Sequence, residues 1–258
     1  MKEAWQHFLQ YKPLLKELVG RDLKVKYRRS VLGYLWSLLN PLLMMGIMTV
    51  VFSYMFRFDI PNYPLYLICG QTLWTFFNES TNMAMYSIVQ NASLIKKVYI
   101  PKYIFPISRV FSSFVTMSFS LAAILLVMLF TGAQFHWTVL LFFVPLVLLF
   151  IFSGGVSLIL SALSVQFRDV THLYSVLTLG WMYLTPIFYP VSAIPSDVGA
   201  YILANPMTGY ITFFRSLVLY GAFPEPAVWA QCILWSMGAL LVGLFTFKKA
   251  QNNFILYI

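Results

Sequence analysis

Residues 139–165 are apolar from end to end and long enough to cross a hydrocarbon core, which takes about 20 residues of helix. This run has five counterparts, at 32–56, 65–89, 104–130, 173–189 and 227–247. The second has a polar middle and the fifth is short. Of the 258 residues, 60% are hydrophobic and 10% charged. A soluble domain carries about 25% charged residues, so this chain cannot clothe a water-facing surface. The expected fold is an all-α integral membrane protein with six transmembrane helices. It forms a single domain over 1–258.

Charge placement fixes the expected orientation. The first 30 residues are polar and basic, with no cleavable signal peptide, so the N-terminus is expected in the cytoplasm. Six crossings then return the C-terminus to the same side. Lys2, Lys12, Lys16, Arg21, Lys24, Lys26, Arg28, Arg29, Lys96, Lys97, Lys102, Arg168, Lys248 and Lys249 all fall inside, with Arg109 at the inner end of the third span. Arg57 and Arg215 fall outside. This is a strong positive-inside bias. A net charge of +9 would point to nucleic acid in a soluble protein. Here topology accounts for it, and no nucleic-acid partner is expected.

The connecting segments are informative. Trp5, Phe8, Leu9, Leu14, Leu15, Leu18 and Val19 recur at helical spacing, with Lys12, Lys16, Glu17, Arg21 and Lys24 between them. Residues 1–31 therefore fit an amphipathic interfacial helix on the cytoplasmic membrane surface, or one packed on the protein's own spans. Asn40-Pro41 marks an expected kink in the first span. The short loop "NASLIKKVYIPKY" would expose Leu94, Ile95 and Val98 unless a partner protein or the membrane covers them. Residues 190–226 contain two apolar pieces too short to span, which fit re-entrant helices in the outer leaflet or a surface loop. Residues 248–258 form a cytoplasmic tail.

No P-loop, H-E-x-x-H or G-x-S-x-G motif occurs. His7, His136 and His172 stand in separate segments, so no catalytic or metal constellation can be argued. Cys69 and Cys232 lie in apolar runs without metal spacing and are expected to be buried and unpaired. The second span carries Asn78, Glu79 and Asn82; the two asparagines share a helix face. An acid at membrane depth is costly and needs a partner or a wet cavity. By depth, Arg109 is the expected partner of Glu79. Gly154, Ser157, Ser161 and Ser164 form a small-residue stripe expected to support close helix contact. Aromatic residues gather toward the outer halves of the spans, where interfacial belts and a lined pathway are both open readings.

Four stretches carry a family resemblance. "RDLKVKYRRSVLGYLWSLLNPLL" resembles the start of the membrane subunit of polysaccharide-exporting ABC transporters, the Wzm-like and TarG-like permeases. "LIKKVYIPKYIFPISRV", "SALSVQFRDVTHL" and "PIFYPVSAIP" with "NPMTGYITFFRSLVLYG" follow in the family's order. The resemblance implies a homodimeric permease in the inner (cytoplasmic) membrane, paired with two copies of a separate ABC ATPase subunit. It moves a polyprenyl-linked glycan such as O-antigen or teichoic acid. It implies no cofactor in this chain, with ATP and Mg bound by the partner. Leu94, Ile95, Lys96, Lys97 and Val98 would form the ATPase-coupling loop. Tyr34, Trp36, Tyr66, Trp74, Phe77 and Trp181 become candidates for the pathway. Lys24, Lys26, Arg28 and Arg29 become candidates for the lipid pyrophosphate, or are ordinary topology signals. An ATPase-independent carrier or channel, and an ABC permease for a drug or other lipid, remain the alternatives at this point.

Overall fold

A computed structural model describes residues 10–55 and 60–257. Trp5, Phe8, Leu9 and Arg57 lie outside the described residues. The described residues form helices and turns, with no strand among them. Four helical stretches are long and apolar enough to cross a membrane: Gly33–Ser53, Ile104–Phe130, Trp137–Gln166 and Pro226–Asn253.

The first helix, α1 (Lys12–Lys26), starts with a proline in its first turn and ends with Lys24 and Lys26 in its last, where the helix dipole favours cations. It packs on α5 (Ile104–Phe130), with Leu18 and Asp22 buried. Packing on the protein's own span therefore covers the apolar face.

A short 3₁₀ turn leads into α2 (Trp36–Met55), which continues through Pro41. Proline cannot donate to the carbonyl four residues back, so Ser37 O loses its intrahelical partner. Ser120 Oγ on α5 donates to that carbonyl at 3.1 Å. This repair suits a medium without water.

The centre of the molecule is α3 (Tyr63–Gln90), packed against α2, α5 and α6 (Phe143–Gln166). Its N-cap, Asn62, accepts a hydrogen bond from Leu65 N at 3.3 Å. With 28 residues it is about 42 Å long. It differs from the four apolar stretches because one face is polar.

The loop helix α4 (Ala92–Lys97) follows directly. Ile95 is buried in a cluster with Leu18, Ile88, Ile104, Phe105, Phe247 and Phe254. The expectation that Ile95 needs an outside cover is corrected: the ends of the long helices on this side of the molecule cover it. Lys96, Lys97, Val98 and Tyr99 remain exposed.

Helix α6 makes its most extensive contact with α10 (Pro226–Ala250). A Cβ on Gly155 would lie 2.3 Å from the Ala239 carbonyl carbon, and one on Gly243 would lie 2.4 Å from Gly155 O. The close approach therefore uses Gly155. A Cβ on Gly154 would meet nothing within 4 Å, so Gly154 of the small-residue stripe makes no close helix contact within the chain's described residues. Ser164 of that stripe instead donates to Met85 O on α3 at 2.7 Å.

Helix α7 (Val170–Tyr183) is about 21 Å long and touches α3 and α6 along one side only. Helices α8 (Ser196–Ala204) and α9 (Pro206–Val218) are shorter than a membrane is thick. The chain closes with α11 (Phe254–Tyr257). Both cysteines are free and buried.

Candidate functional site

The polar face of α3 runs through Gln71, Thr75, Asn78, Glu79, Asn82, Tyr86 and Gln90, all partly or fully exposed. These positions recur at three- and four-residue steps and so share one stripe. Leu73, Phe76, Phe77, Ser80, Thr81, Ala84, Met85 and Ile88 hold the opposite, buried side. The asparagines share this face as expected, and they are also bonded to each other: Asn82 Nδ2 donates to Asn78 Oδ1 and to Asn78 O, each at 2.7 Å.

Two elements flank this stripe. On one side, the end of α1 brings Lys26 Nζ to 2.6 Å from Glu79 Oε1. On the other, α7 brings Tyr174 Oη within 2.7 Å of Thr81 Oγ1 and sets Trp181 edge-on to Trp74. The stripe is thus a polar floor between two walls.

The expected Glu79–Arg109 pair does not form. Arg109 Nη1 instead lies 2.7 Å from Asp22 Oδ1, and its Nη2 donates to Gln90 Oε1 at 2.9 Å. Ser112 Oγ donates to Asp22 Oδ2 at 3.2 Å. The reason lies on α1: Asp22 follows Leu18 by four residues and therefore points into α5 with it. Its side chain is 3% exposed. Sequence reasoning passed over Asp22 because it sits within a run of basic residues. Its register on the apolar face was the available signal.

A cavity of about 680 Å³ opens at the C-terminal end of the α3 floor, lined by Arg21, Asp22, Lys26, Glu79, Asn91 and Arg109 among others. Arg21 Nη1 donates to Asn91 Oδ1 at 3.1 Å, and Asn91 Nδ2 donates to Ser87 O at 2.7 Å. Asn91 is also the residue that opens α4. One polar network therefore joins α4, α1 and α5. Of the four basic candidates, Lys26 faces Glu79, whereas Lys24, Arg28 and Arg29 are exposed. Arg29 adopts a left-handed conformation at φ 62° in the turn after α1.

The aromatic candidates separate into three groups. Trp74, Phe77 and Trp181 meet in one cluster, with ring centroids 5.1 to 6.1 Å apart. Trp74 and Phe77 are buried within the chain, and Trp181 Nε1 donates to Asn205 Oδ1 at 2.8 Å. Tyr34 and Trp36 lie exposed at the start of α2, with Tyr34 packed on Tyr27 and Phe119. Tyr66 lies elsewhere, under Arg215.

Arg215 on α9 is 4% exposed and has no carboxylate partner among the described residues. Its guanidinium donates to Tyr66 O at 2.8 and 3.0 Å, to Pro186 O at 2.7 Å and to Ile187 O at 2.9 Å. It also sits 3.3 Å from the centre of the Tyr66 ring. A Cβ at Gly70 would lie 2.6 Å from Arg215 Nη2, so only glycine leaves room for it there. The clamp ties α9 to α3 and to the segment after α7. Lys102, outside the spans, donates to Gln251 O at 2.6 Å, and burial lowers its pKa from the ordinary lysine value.

No group of side chains able to hold a metal occurs among the described residues. The arrangement offers a polar surface along α3, an ionic network at one end and an arginine clamp at the other. Residues 13–219 match the family of ABC-2 type transporters. An O-antigen export system permease protein of Klebsiella pneumoniae is 33% identical over 247 residues, covering 93% of each chain. A protein of the same description from Myxococcus xanthus is 32% identical over 239 residues, covering 90% of this chain and 92% of its own. A polysialic acid transport protein of Escherichia coli is 23% identical over 248 residues, covering 93% and 95%. With most of its length inside the family match, this chain belongs to the ABC-2 type transporters.

Proposed function

We propose that the chain is the permease of a polysaccharide export system, moving a lipid-linked glycan outward across the inner membrane. The observation that carries this reading is the one-third identity to O-antigen export permeases along nearly the whole chain. The polar floor of α3 supports it physically. A glycan cannot cross hydrocarbon, because each hydroxyl would lose its water without gaining a partner. A stripe of carboxamides and hydroxyls supplies those partners.

In this reading α3 and α7 join the four apolar helices to make six crossings, with both termini in the cytoplasm. Helix α3 is less apolar than the other four because its floor faces the path rather than lipid. Helices α8 and α9 are re-entrant, held by Arg215. Two copies face each other and enclose the path, because a single copy leaves the floor uncovered at membrane depth. Lys24, Arg28 and Arg29, exposed beside the inner cavity, receive the pyrophosphate of the carrier lipid, while Lys26 is shared with Glu79.

ATP and Mg²⁺ bind a separate ATPase subunit, two copies per complex. That subunit seats on Lys96 and Lys97 at the end of α4 and on Val98 and Tyr99 just after it, all exposed. Movement there reaches α1 through Asn91 and Arg21, and α5 through Asp22 and Arg109. The ATPase-driven step thus acts on the wall of the path that holds Lys26.

Purification in mild detergent should bring down an ATPase, and a lipid-linked glycan should stimulate its ATP hydrolysis when a panel of drugs does not. A chain that transports glycan alone, without ATP, would instead be a secondary carrier and would overturn the proposal.

A further inference from the structure

Resting on the export reading, we infer that the path is built for an uncharged glycan and discriminates against chains carrying an acid in each repeat. The juxtaposition that carries this is the α3 floor with its single ion pair. Along the stripe, Gln71, Thr75, Asn78, Asn82 and Tyr86 offer amide and hydroxyl groups that both donate and accept. Those are the partners that sugar hydroxyls require. Gln71 Oε1 is enclosed and has no hydrogen-bond partner among the described residues, an acceptor left for a donor from outside.

Fixed charge is scarce by contrast. In all six apolar runs of the sequence the charged residues are Glu79 and Arg109. Arg109 is committed to Asp22 and Gln90, so it offers nothing to a passing anion. Glu79 is committed to Lys26, and both remain partly exposed to the path, at 23% and 35% of their side chains. The pair is neutral as a unit. A neutral sugar passes it with hydrogen bonds alone. A carboxylate on the glycan meets a carboxylate already in place, and the cation beside it, Lys26, is engaged. It loses hydration without compensation, which is the costly case in a low-dielectric passage.

The inference is tested on the whole complex with its ATPase, reconstituted in vesicles. Two glycans of equal length on the same polyprenyl carrier are compared, one of neutral hexoses and one with a uronic acid in each repeat. The neutral glycan should be exported at least about tenfold faster, because only the acidic one gives up hydration without gaining a partner. Glu79→Gln frees Lys26 in the path and should shrink that ratio at least about threefold. The double change Lys26→Gln with Glu79→Gln removes the freed cation and should restore the preference, which a merely disrupted structure would not do. Equal export of both glycans by the unchanged chain overturns the inference and leaves the export function standing. A ratio untouched by Glu79→Gln overturns it as well. Export of neither glycan, with the ATPase bound and active, overturns the export reading and the inference together.

Discussion

Asp22 is one carboxylate among the basic residues of α1, yet it decides how that helix sits. Its oxygens meet Arg109 at 2.7 Å, Arg21 at 3.5 Å and Ser112 at 3.2 Å. Taking such a pair out of water is expensive, and its value lies in position rather than in net stability. Removing one partner strands the other charge. Asp22→Asn should destabilise the protein by on the order of 3 kcal/mol, and Arg109→Gln by a similar amount. The double variant should recover at least about half of the summed loss, because no charge is then left alone. Thermal unfolding in detergent measures all three. Additive losses would mean that the two residues act separately. At this scale the sequence was misleading in an instructive way: depth along the spans matched Glu79 to Arg109, whereas partner choice was set by helix rotation. Glu79 faces outward on the floor toward Lys26, and Arg109 faces α1.

At the scale of elements, small residues decide which helices touch. Gly155 and Gly243 let α6 and α10 approach until backbone meets backbone, as close packing between membrane helices requires. The sequence showed that α6 carried a small-residue face, but small residues occupy two of its sides. Ser164 turns to α3 and Gly155 to α10, and spacing alone does not say which glycine meets a neighbour. Gly155→Ala should force the helices apart and cost about 1–3 kcal/mol, the usual penalty of overpacking. Gly154→Ala, one residue away, should be neutral or slightly stabilising, because its Cβ meets nothing within 4 Å and alanine favours helix. The two melting temperatures, taken side by side, check the claim. A comparable drop in both would place the close contact elsewhere. Element identity was otherwise legible for the four apolar stretches, whose composition alone commits them to membrane helices. Helices α3 and α7 were harder. The first is polar along one face and the second is short, so neither matches the apolar pattern.

For the molecule as a whole, the polar floor separates two kinds of surface that exposure alone does not tell apart. Leu234 and Leu241 on α10 are exposed and apolar, which suits lipid. Thr75 and Asn82 on α3 are exposed or half-exposed and polar, which lipid would penalise. The family resemblance pointed to aromatics as the pathway, but Trp74 and Phe77 are buried inside one chain, and the open surface beside them is made of amides and hydroxyls. That surface was foreshadowed by Asn78 and Asn82 sharing a face, a signal in the sequence that needed the three-dimensional neighbours to extend it to Gln71 and Gln90. If the floor is wet in the assembled transporter, single cysteines there should react with a membrane-impermeant thiol reagent. The two native cysteines are buried, at 1% and 0% exposure, and give a low background without being replaced. Thr75→Cys and Asn82→Cys should label at least about tenfold faster than Leu234→Cys and Leu241→Cys, since the thiolate is what attacks the reagent and a thiol in hydrocarbon stays protonated. Excess lipid-linked glycan should protect the α3 positions and leave the α10 positions unchanged. Equal labelling of both sets, or labelling of the α10 positions alone, would place the water-filled route on a different face of the protein.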